Sequence, residues 1–412
     1  MGRRRDPAVW ACIAVLGLAV TLATAGCGEQ AGASATASRQ TTTQALATAK
    51  PRPRTVHLTI EANGDLLIHS PVWQRAQQLA GGSGYDFAPL LRYIKPYVAS
   101  ADLAICHVET PMTSAPPTGY PVFNTPPALA RAIKQTGWDV CDTASNHSLD
   151  QGQAGITSTA AVLDRAHIRH TGSFAQPAGQ RRTLIVRVKG VRVAFLAYTE
   201  MTNGIPLPHP WSVNLAHADR ILADARRARR RGAQVVIVNL HWGTEDVSAP
   251  DAFQRQLADR LTRSRVITAI VGQHVHVVQP VARVNGRIVV FGEGNLLSNQ
   301  TPACCAAGSQ DGLLALLRID VTGDRARLRR VRYVPVWVRH PDYAVLPGRR
   351  RAAPWARRSG RVARLIRAHG RGRGTRGRHH AAARARAVNR GATRWRARFP
   401  AVRARALSAA VA

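Results

Sequence analysis

Two histidines separated by one residue, His274 and His276, follow an apolar run from Val266 to Val271. Alternate side chains of an extended strand share a face, so the spacing predicts two imidazoles pointing the same way at a strand end. Neutral imidazoles so placed are ready ligands for a divalent metal, although core or surface histidines explain an isolated His-x-His equally well. Further polar groups fall where other apolar runs stop: Asp65 with His69, His107 with Glu109, Asn146 with His147 and Asp150, His241, and Asn295. Each alone has an ordinary reading as a turn former, a helix cap or a core histidine. Successive run ends that each supply Asp, Glu, Asn or His point instead to one rim, where open α/β sheets place their sites. Carboxylate, imidazole and amide donors without a thiolate suit Mn, Fe or Zn in a reactive site rather than a structural zinc site. A carboxylate and an amide oxygen can bridge two ions about 3.5–4 Å apart, the arrangement of hydrolytic phosphate chemistry.

The elements that must position these groups alternate in type. Strand-like runs cover 56–62, 101–106, 138–143, 234–240 and 266–271, and helical spacing covers 85–100, 127–136, 152–166, 215–231 and 252–265. Hairpins are expected over 183–198, turning at Lys189-Gly190, and over 281–291, turning at Asn285-Gly286. Repeated strand–helix units with interspersed hairpins imply a layered α/β domain with mixed sheets, and residues 55–346 suit one such domain.

The ends of the chain are different in kind. Residues 1–27 carry Arg3-Arg4-Arg5, an apolar run and then small residues before Cys27, the layout of a secretory signal. Thr24-Ala25-Gly26-Cys27 resembles a bacterial lipoprotein cleavage site; an uncleaved anchor and cleavage at Ala25 are the alternatives. Residues 28–54 read as a flexible linker, and the chain is expected outside the cytoplasm, attached to the membrane, where disulfides persist. Cys106 and Cys141 lie near the ends of adjacent strand-like runs, so a disulfide between them and two free thiols both stand. Of the net charge of +35, 20 charges come from arginines in the last 64 residues, which contain no Asp or Glu. The span 347–412 is therefore expected to be an Arg-rich, disordered tail that meets anionic partners or stays solvated. Nucleic acid as partner rests on that tail alone, and the secretory N-terminus argues against it.

The order GDLLIHSPV, ADLAICHVETP, SNHSLDQG, NLHWG, GQHVHVVQP and GEGNLLSNQ, within 56–338, resembles the CapA (capsule and poly-γ-glutamate synthesis) family, a branch of the calcineurin-like metallophosphoesterases. The resemblance implies a four-layer αββα sandwich of two mixed sheets and a site for two divalent ions. Carried over by motif, Asp65 and His276 would hold the first ion, Glu109 would bridge, and Asn146, His241 and His274 would hold the second. His147 would act on the leaving group, and Asp150 would hold the other nitrogen of its ring. The implied role is hydrolysis of a phosphoester or acyl-type bond in an anionic envelope polymer; a non-catalytic accessory or scaffold for polymer assembly or export is the alternative. Departures from the pattern concern His69, four residues after Asp65 where the superfamily has Asp-x-His, and His107, where many CapA-like sequences have Asn. His69, His107 and Asn295 are therefore expected in the pocket without an assigned role. Glu109 also stands for a bridging Asp and reaches one methylene further.

Overall fold

The computed structural model describes residues 54–348 and 360–366. Cys27, the segment 1–27, nearly all of 28–54 and most of 347–412 lie outside the described residues.

Two mixed sheets stack face to face with helices on both outer sides, giving four layers. The first sheet runs β14-β13-β12-β1-β2-β3-β4. Its parallel half is β1 (Thr55–Leu66), β2 (Leu103–Val108), β3 (Val140–Asp142) and β4 (Arg169–Thr171). Its antiparallel half is β12 (Asp311–Thr322), β13 (Arg325–Arg339) and β14 (Ala344–Pro347), while β11 (Asn295–Leu297) pairs with the end of β1. The second sheet runs β5-β6-β7-β8-β10-β9. Its strands are β5 (Leu184–Val188), β6 (Val191–Thr199), β7 (Val235–Trp242), β8 (Ala269–His274), β9 (Val281–Val284) and β10 (Arg287–Val290). Strands β6, β7, β8 and β10 are parallel, and the outer strands on either side are antiparallel. The expected sandwich of two mixed sheets is the fold observed.

Alternation along the strands builds the core. Ile60, Ile105 and Val140 meet Phe195, Ile237 and Val271 between the sheets. Each such side chain contributes about 1.5–3 kcal/mol by leaving water. The outer face of the first sheet packs on α1 (Ser70–Leu79), α4 (Ala128–Thr136) and α5 (Gly152–Arg165), with Trp138 fully buried there. The second sheet packs on α7 (Ala218–Arg230) and α8 (Ala252–Thr262). Asp251 starts α8 through a reciprocal cap with Gln254, and Gly137 ends α4 in the left-handed region. The helix α6 (Pro177–Arg181) is a surface turn.

Four local expectations change. Helical spacing over 85–100 gives two single-turn helices, α2 (Ala88–Leu91) and α3 (Lys95–Val98), each with proline in its first turn. Pro96 has no N–H to bond the carbonyl four residues earlier, so a helix running on from α2 cannot keep its hydrogen bonding through it. The first strand continues beyond residue 62 to Leu66, with a register shift between Ala62 and Asp65 that bends its end. The long antiparallel pair β12–β13 carries no helix between its strands and was not marked by spacing alone. Within the Arg-rich span, residues 360–366 are helical, with Val362 and Ile366 buried against the inter-sheet core.

Candidate metal centre

The carboxyl ends of β1, β2, β3, β7 and β8 converge on one rim. Asp65 stands in register with His107 on β2 and with Asn295 on β11. Gly64 makes this crossing: a Cβ there would sit 1.7 Å from the Gly294 carbonyl oxygen, so no other residue fits. Glu109 follows the last residue of β2, His241 lies in β7, and His274 ends β8.

The extended geometry expected for His274 and His276 does not occur. Strand β8 stops at His274, whose φ is +89°, and His276 has φ +55°. Both residues occupy the sparsely populated left-handed region, and the bend rather than strand alternation brings their rings together, 6.0 Å between centroids. Gly272 permits the approach from behind, since a Cβ would meet the Phe291 carbonyl oxygen at 2.0 Å. Strain of this kind persists only where surrounding packing imposes it.

Three overlapping groups of buried donors lie within coordination reach, the atoms of each within 4.8 Å of one another: Asp65, Glu109 and His276; Glu109, His241 and His274; Asp65, His107 and His241. The first two are the sets that the motif resemblance assigns to the two ions. Asn146 joins the second, its Oδ1 2.9 Å from His241 Nε2, while its Nδ2 donates to Asn203 Oδ1 at 3.2 Å. The third group makes His107 a donor candidate rather than a pocket wall. His107 Nδ1 bonds Asp142 Oδ1 at 2.7 Å and its Nε2 faces Asp65 Oδ1 at 3.6 Å. Asp142 is thus a supporting residue that spacing missed, although it sits at the end of β3 like the other run-end acids.

The hydrogen-bond state of these groups tests whether a metal suits them. Both carboxylate oxygens of Glu109, Nε2 of His107, Nδ1 of His241 and Nδ1 of His274 are buried without a hydrogen-bond partner. Buried polar atoms are otherwise nearly always paired, and leaving one unpaired costs about 1–3 kcal/mol. A cation beside Glu109 would satisfy the two carboxylate oxygens that the chain itself leaves open, with His241 Nε2 3.7 Å from that carboxylate, so the donor set fits a divalent ion.

Electrostatics divide the donors into rings already neutral and rings whose proton a bound cation would displace. Burial and the Asp65 charge push the Glu109 carboxyl up to about 7. Burial and the neighbouring His276 hold His274 down at about 3, and burial with His274 and His107 keeps His241 far below the usual imidazole range. These two rings are neutral, with lone pairs to offer. Burial opposes charge on His107 and His276, yet Asp142 carries the former up to about 9 and Glu109 with Asp65 carries the latter to about 10.

The remaining predicted residues surround this centre. His147 Nδ1 bonds Asp150 Oδ2 at 2.8 Å, and the same oxygen accepts the Phe123 amide at 2.7 Å. The Phe123 ring stands edge-on to both His147 and His69, at 4.7 and 5.2 Å. His69 Nδ1 lies 3.1 Å from Leu67 O and 3.3 Å from the Asn299 amide nitrogen, bonding one or the other according to its tautomer, and the residue belongs to none of the donor groups. Asn295 Oδ1 lies 3.1 Å from His276 Nδ1 and its Nδ2 donates to Gln300 and Ser309, so it orients the ring. Glu245 was not anticipated; its half-exposed carboxylate stands 3.9 Å from His274 and 4.0 Å from His276. Only its place four residues after His241 could have pointed to it. Behind the rim, Cys106 and Cys141 pair across β2 and β3 and are joined as a disulfide, with Cα atoms 4.5 Å apart.

A family model described as bacterial capsule synthesis protein PGA_cap matches residues 59–300. The "capsule biosynthesis protein CapA" of Bacillus anthracis is 25% identical over 269 residues, 63% of this chain and 64% of that protein. A "probable polyglutamine synthesis accessory protein" of Mycobacterium tuberculosis is 28% identical over 177 residues, 39% of this chain and 45% of that protein. The chain thus spans less than two thirds of the length of these relatives. Among solved structures, the calcineurin-like phosphoesterase YfkN from Bacillus subtilis superposes with TM-score 0.40 at 13% identity, covering 68% of this chain and 91% of that one.

Proposed function

The chain belongs to the bacterial capsule synthesis protein family, and from that membership and the rim geometry we propose that it is an envelope protein of capsule or poly-glutamate-type polymer metabolism with a divalent-metal hydrolytic centre. The observation that carries the reading is the set of overlapping donor groups whose buried lone pairs lack partners, next to a histidine held by a carboxylate. Asp65 and His276 would hold one ion, Asn146, His241 and His274 a second, with Glu109 between them and His107 at the junction. Two bound Mn, Fe or Zn ions would supply Lewis acidity toward a phosphoester or acyl-type bond.

The residues around them divide the other tasks. Asp150 accepts from His147 Nδ1, which fixes the tautomer and leaves Nε2 to carry a proton to a leaving group. Phe123 packs on His147 and His69 and shields the transfer from water on that side. Asn295 and Asp65 hold the His276 ring from its Nδ1 side, so its Nε2 faces Glu109.

The test is turnover of a generic phosphodiester by the manganese-loaded full chain. His147→Ala is expected to lower kcat at least a hundredfold with metal content unchanged, whereas His274→Ala and Asn146→Ala are expected to lose metal. Full metal content in both latter variants would sink the donor assignment. The accessory reading has one observation in its favour, the name of the mycobacterial relative. Absence of turnover together with tight binding of a poly-glutamate would select it. A structural metal site has no use for the His147–Asp150 pair, which favours the hydrolase. We further place the chain outside the cytoplasm on a lipid at Cys27; release of Cys27→Ala into the culture medium is the expected result, and unchanged membrane retention would refute it. No helix among the described residues is long and apolar enough to cross a membrane.

A further inference from the structure

At the end of the sandwich away from the rim, a groove of about 770 Å³ opens between the two sheets, and six arginines line it: Arg229, Arg265, Arg283, Arg287, Arg325 and Arg327. They come from the end of α7, the approach to β8, the β9–β10 hairpin and the start of β13, so four separate elements bring the same charge to one place. Asp324 is the one acidic residue in the lining. From Thr268 at the groove to His274 at the rim is the length of β8, roughly 20 Å at about 3.3 Å per residue. The groove is therefore separate from the metal centre.

The arginines are not all alike. Arg229 is part of the floor: it donates to the carbonyls of Val266, Ala233 and Gln234 and to Thr268 Oγ1. Arg283 spends one donor on the Gly286 carbonyl. Arg265, Arg287, Arg325 and Arg327 make no side-chain hydrogen bond or ion pair among the described residues. Elsewhere on the same surface arginines do find carboxylates, as Arg260 does with Asp219, Arg263 with Asp259 and Arg329 with Asp320. Burial and mutual repulsion lower Arg287, through Arg265, and Arg229, through Arg287. Six guanidinium groups facing one carboxylate, with Arg229 and Arg287 partly buried, are complementary to an anion, and their planar forks match carboxylates two bonds at a time.

We propose that this groove binds a strand of flexible polycarboxylate, holding a capsule-type polymer at a second point on the molecule; its identity as a glutamate polymer rests on the functional reading above. Several forks on several elements suit a repeating anion better than a single one, since each extra contact is made at the high local concentration set by the first.

Arginine footprinting of the full chain tests this residue by residue. A dicarbonyl reagent modifies free guanidinium groups, and mass spectrometry reports Arg265, Arg287, Arg325 and Arg327 separately from arginines beyond residue 348. With a γ-linked glutamate decamer at low salt, the groove arginines are expected to react at least fivefold more slowly, and the protection is expected to fade as salt rises. Arg325→Ser with Arg327→Ser, both exposed at the start of β13, is expected to abolish protection at Arg265 and Arg287 while the melting temperature and rim turnover stay unchanged. Equal reaction rates with and without the decamer would overturn the groove, whether or not the arginines beyond 348 are protected. Protection by inorganic polyphosphate alone would overturn the polycarboxylate assignment. Rim turnover measured on the same samples separates a failure of the groove from a failure of the hydrolase reading.

Discussion

Glu109 shows how a single residue links stability to function at this rim. Both its oxygens are buried and unpartnered, and burial with the Asp65 charge raises its carboxyl to about 7. The chain pays for that arrangement in the absence of a cation, because an unpaired buried group keeps its full desolvation penalty. Glu109→Gln is therefore expected to weaken metal affinity at least tenfold while leaving the melting temperature of the metal-free chain unchanged or slightly higher. Metal analysis and thermal melts with and without chelator check it; a variant that keeps its metal, or melts far below the parent when metal-free, would exclude the role. Glu61 lies deeper and is a different case. Burial lifts it to about 8 against the hydrogen bonds from Asn63 and Trp138. A carboxyl whose folded value exceeds its unfolded one stabilises the fold fully below the unfolded value near 4.5 and progressively less up to about 8. Between those limits the cost is about 1.4 kcal/mol per pH unit. The chelated chain should melt lower at pH 8 than at pH 6, and Glu61→Gln, which does not ionise, should flatten the slope. A slope unchanged in that variant would place the titration elsewhere.

At the scale of elements, the disulfide between Cys106 and Cys141 ties β2 to β3 one residue before His107 and Asp142, the pair that meets at 2.7 Å. It closes a sequence separation of 35 residues, which in the loop-entropy view stabilises by about 3–4 kcal/mol. Cys106→Ser with Cys141→Ser should lose about that much in urea unfolding and should loosen His107, seen as weaker metal retention. A loss well below 1 kcal/mol would mean that the strand pairing alone holds this end of the sheet. Much of this level was readable from residue order. The apolar runs at 234–240 and 266–271 end beside His241 and near His274 because buried parallel strands must be continuously apolar and their polar neighbours must lie beyond them. What spacing could not show is how the backbone leaves the strand. His274 and His276 converge through two left-handed residues, Asp65 sits past a register shift, and His107 gains its place through Asp142. Each depends on contacts between elements distant in sequence, which no local period encodes. The broken helix over 85–100 was legible in Pro89 and Pro96, whose effect overrides the helical spacing around them.

For the whole molecule, the placement of charge and of the chain's later residues is the feature that composition obscured. The excess of arginine after residue 348 suggests a segment that adds nothing to the fold, yet residues 360–366 contribute Val362 and Ile366 to the core between the sheets, with Leu365 packed against it. Arg361 reaches the Ala307 carbonyl and stands 3.8 Å from Asp311, at the start of β12 beside the rim. The turn therefore covers apolar surface between the two sheets, with Arg361 turned toward β12 and Arg364 exposed on its outer face. Burying one valine and one isoleucine is worth about 1.5–3 kcal/mol each, less the cost of ordering the turn that holds them. Val362→Asp with Ile366→Asp is expected to destabilise the full chain by about 3 kcal/mol in urea unfolding. Arg364→Asp changes charge on the same turn without touching the core, and should stay within about 0.5 kcal/mol of the parent. Equal effects from the two variants would mean that charge, not burial, governs this segment. A large effect from the first alone means that the domain extends past residue 346, and that any shortened chain used to study the rim must retain the segment to keep β12 in place.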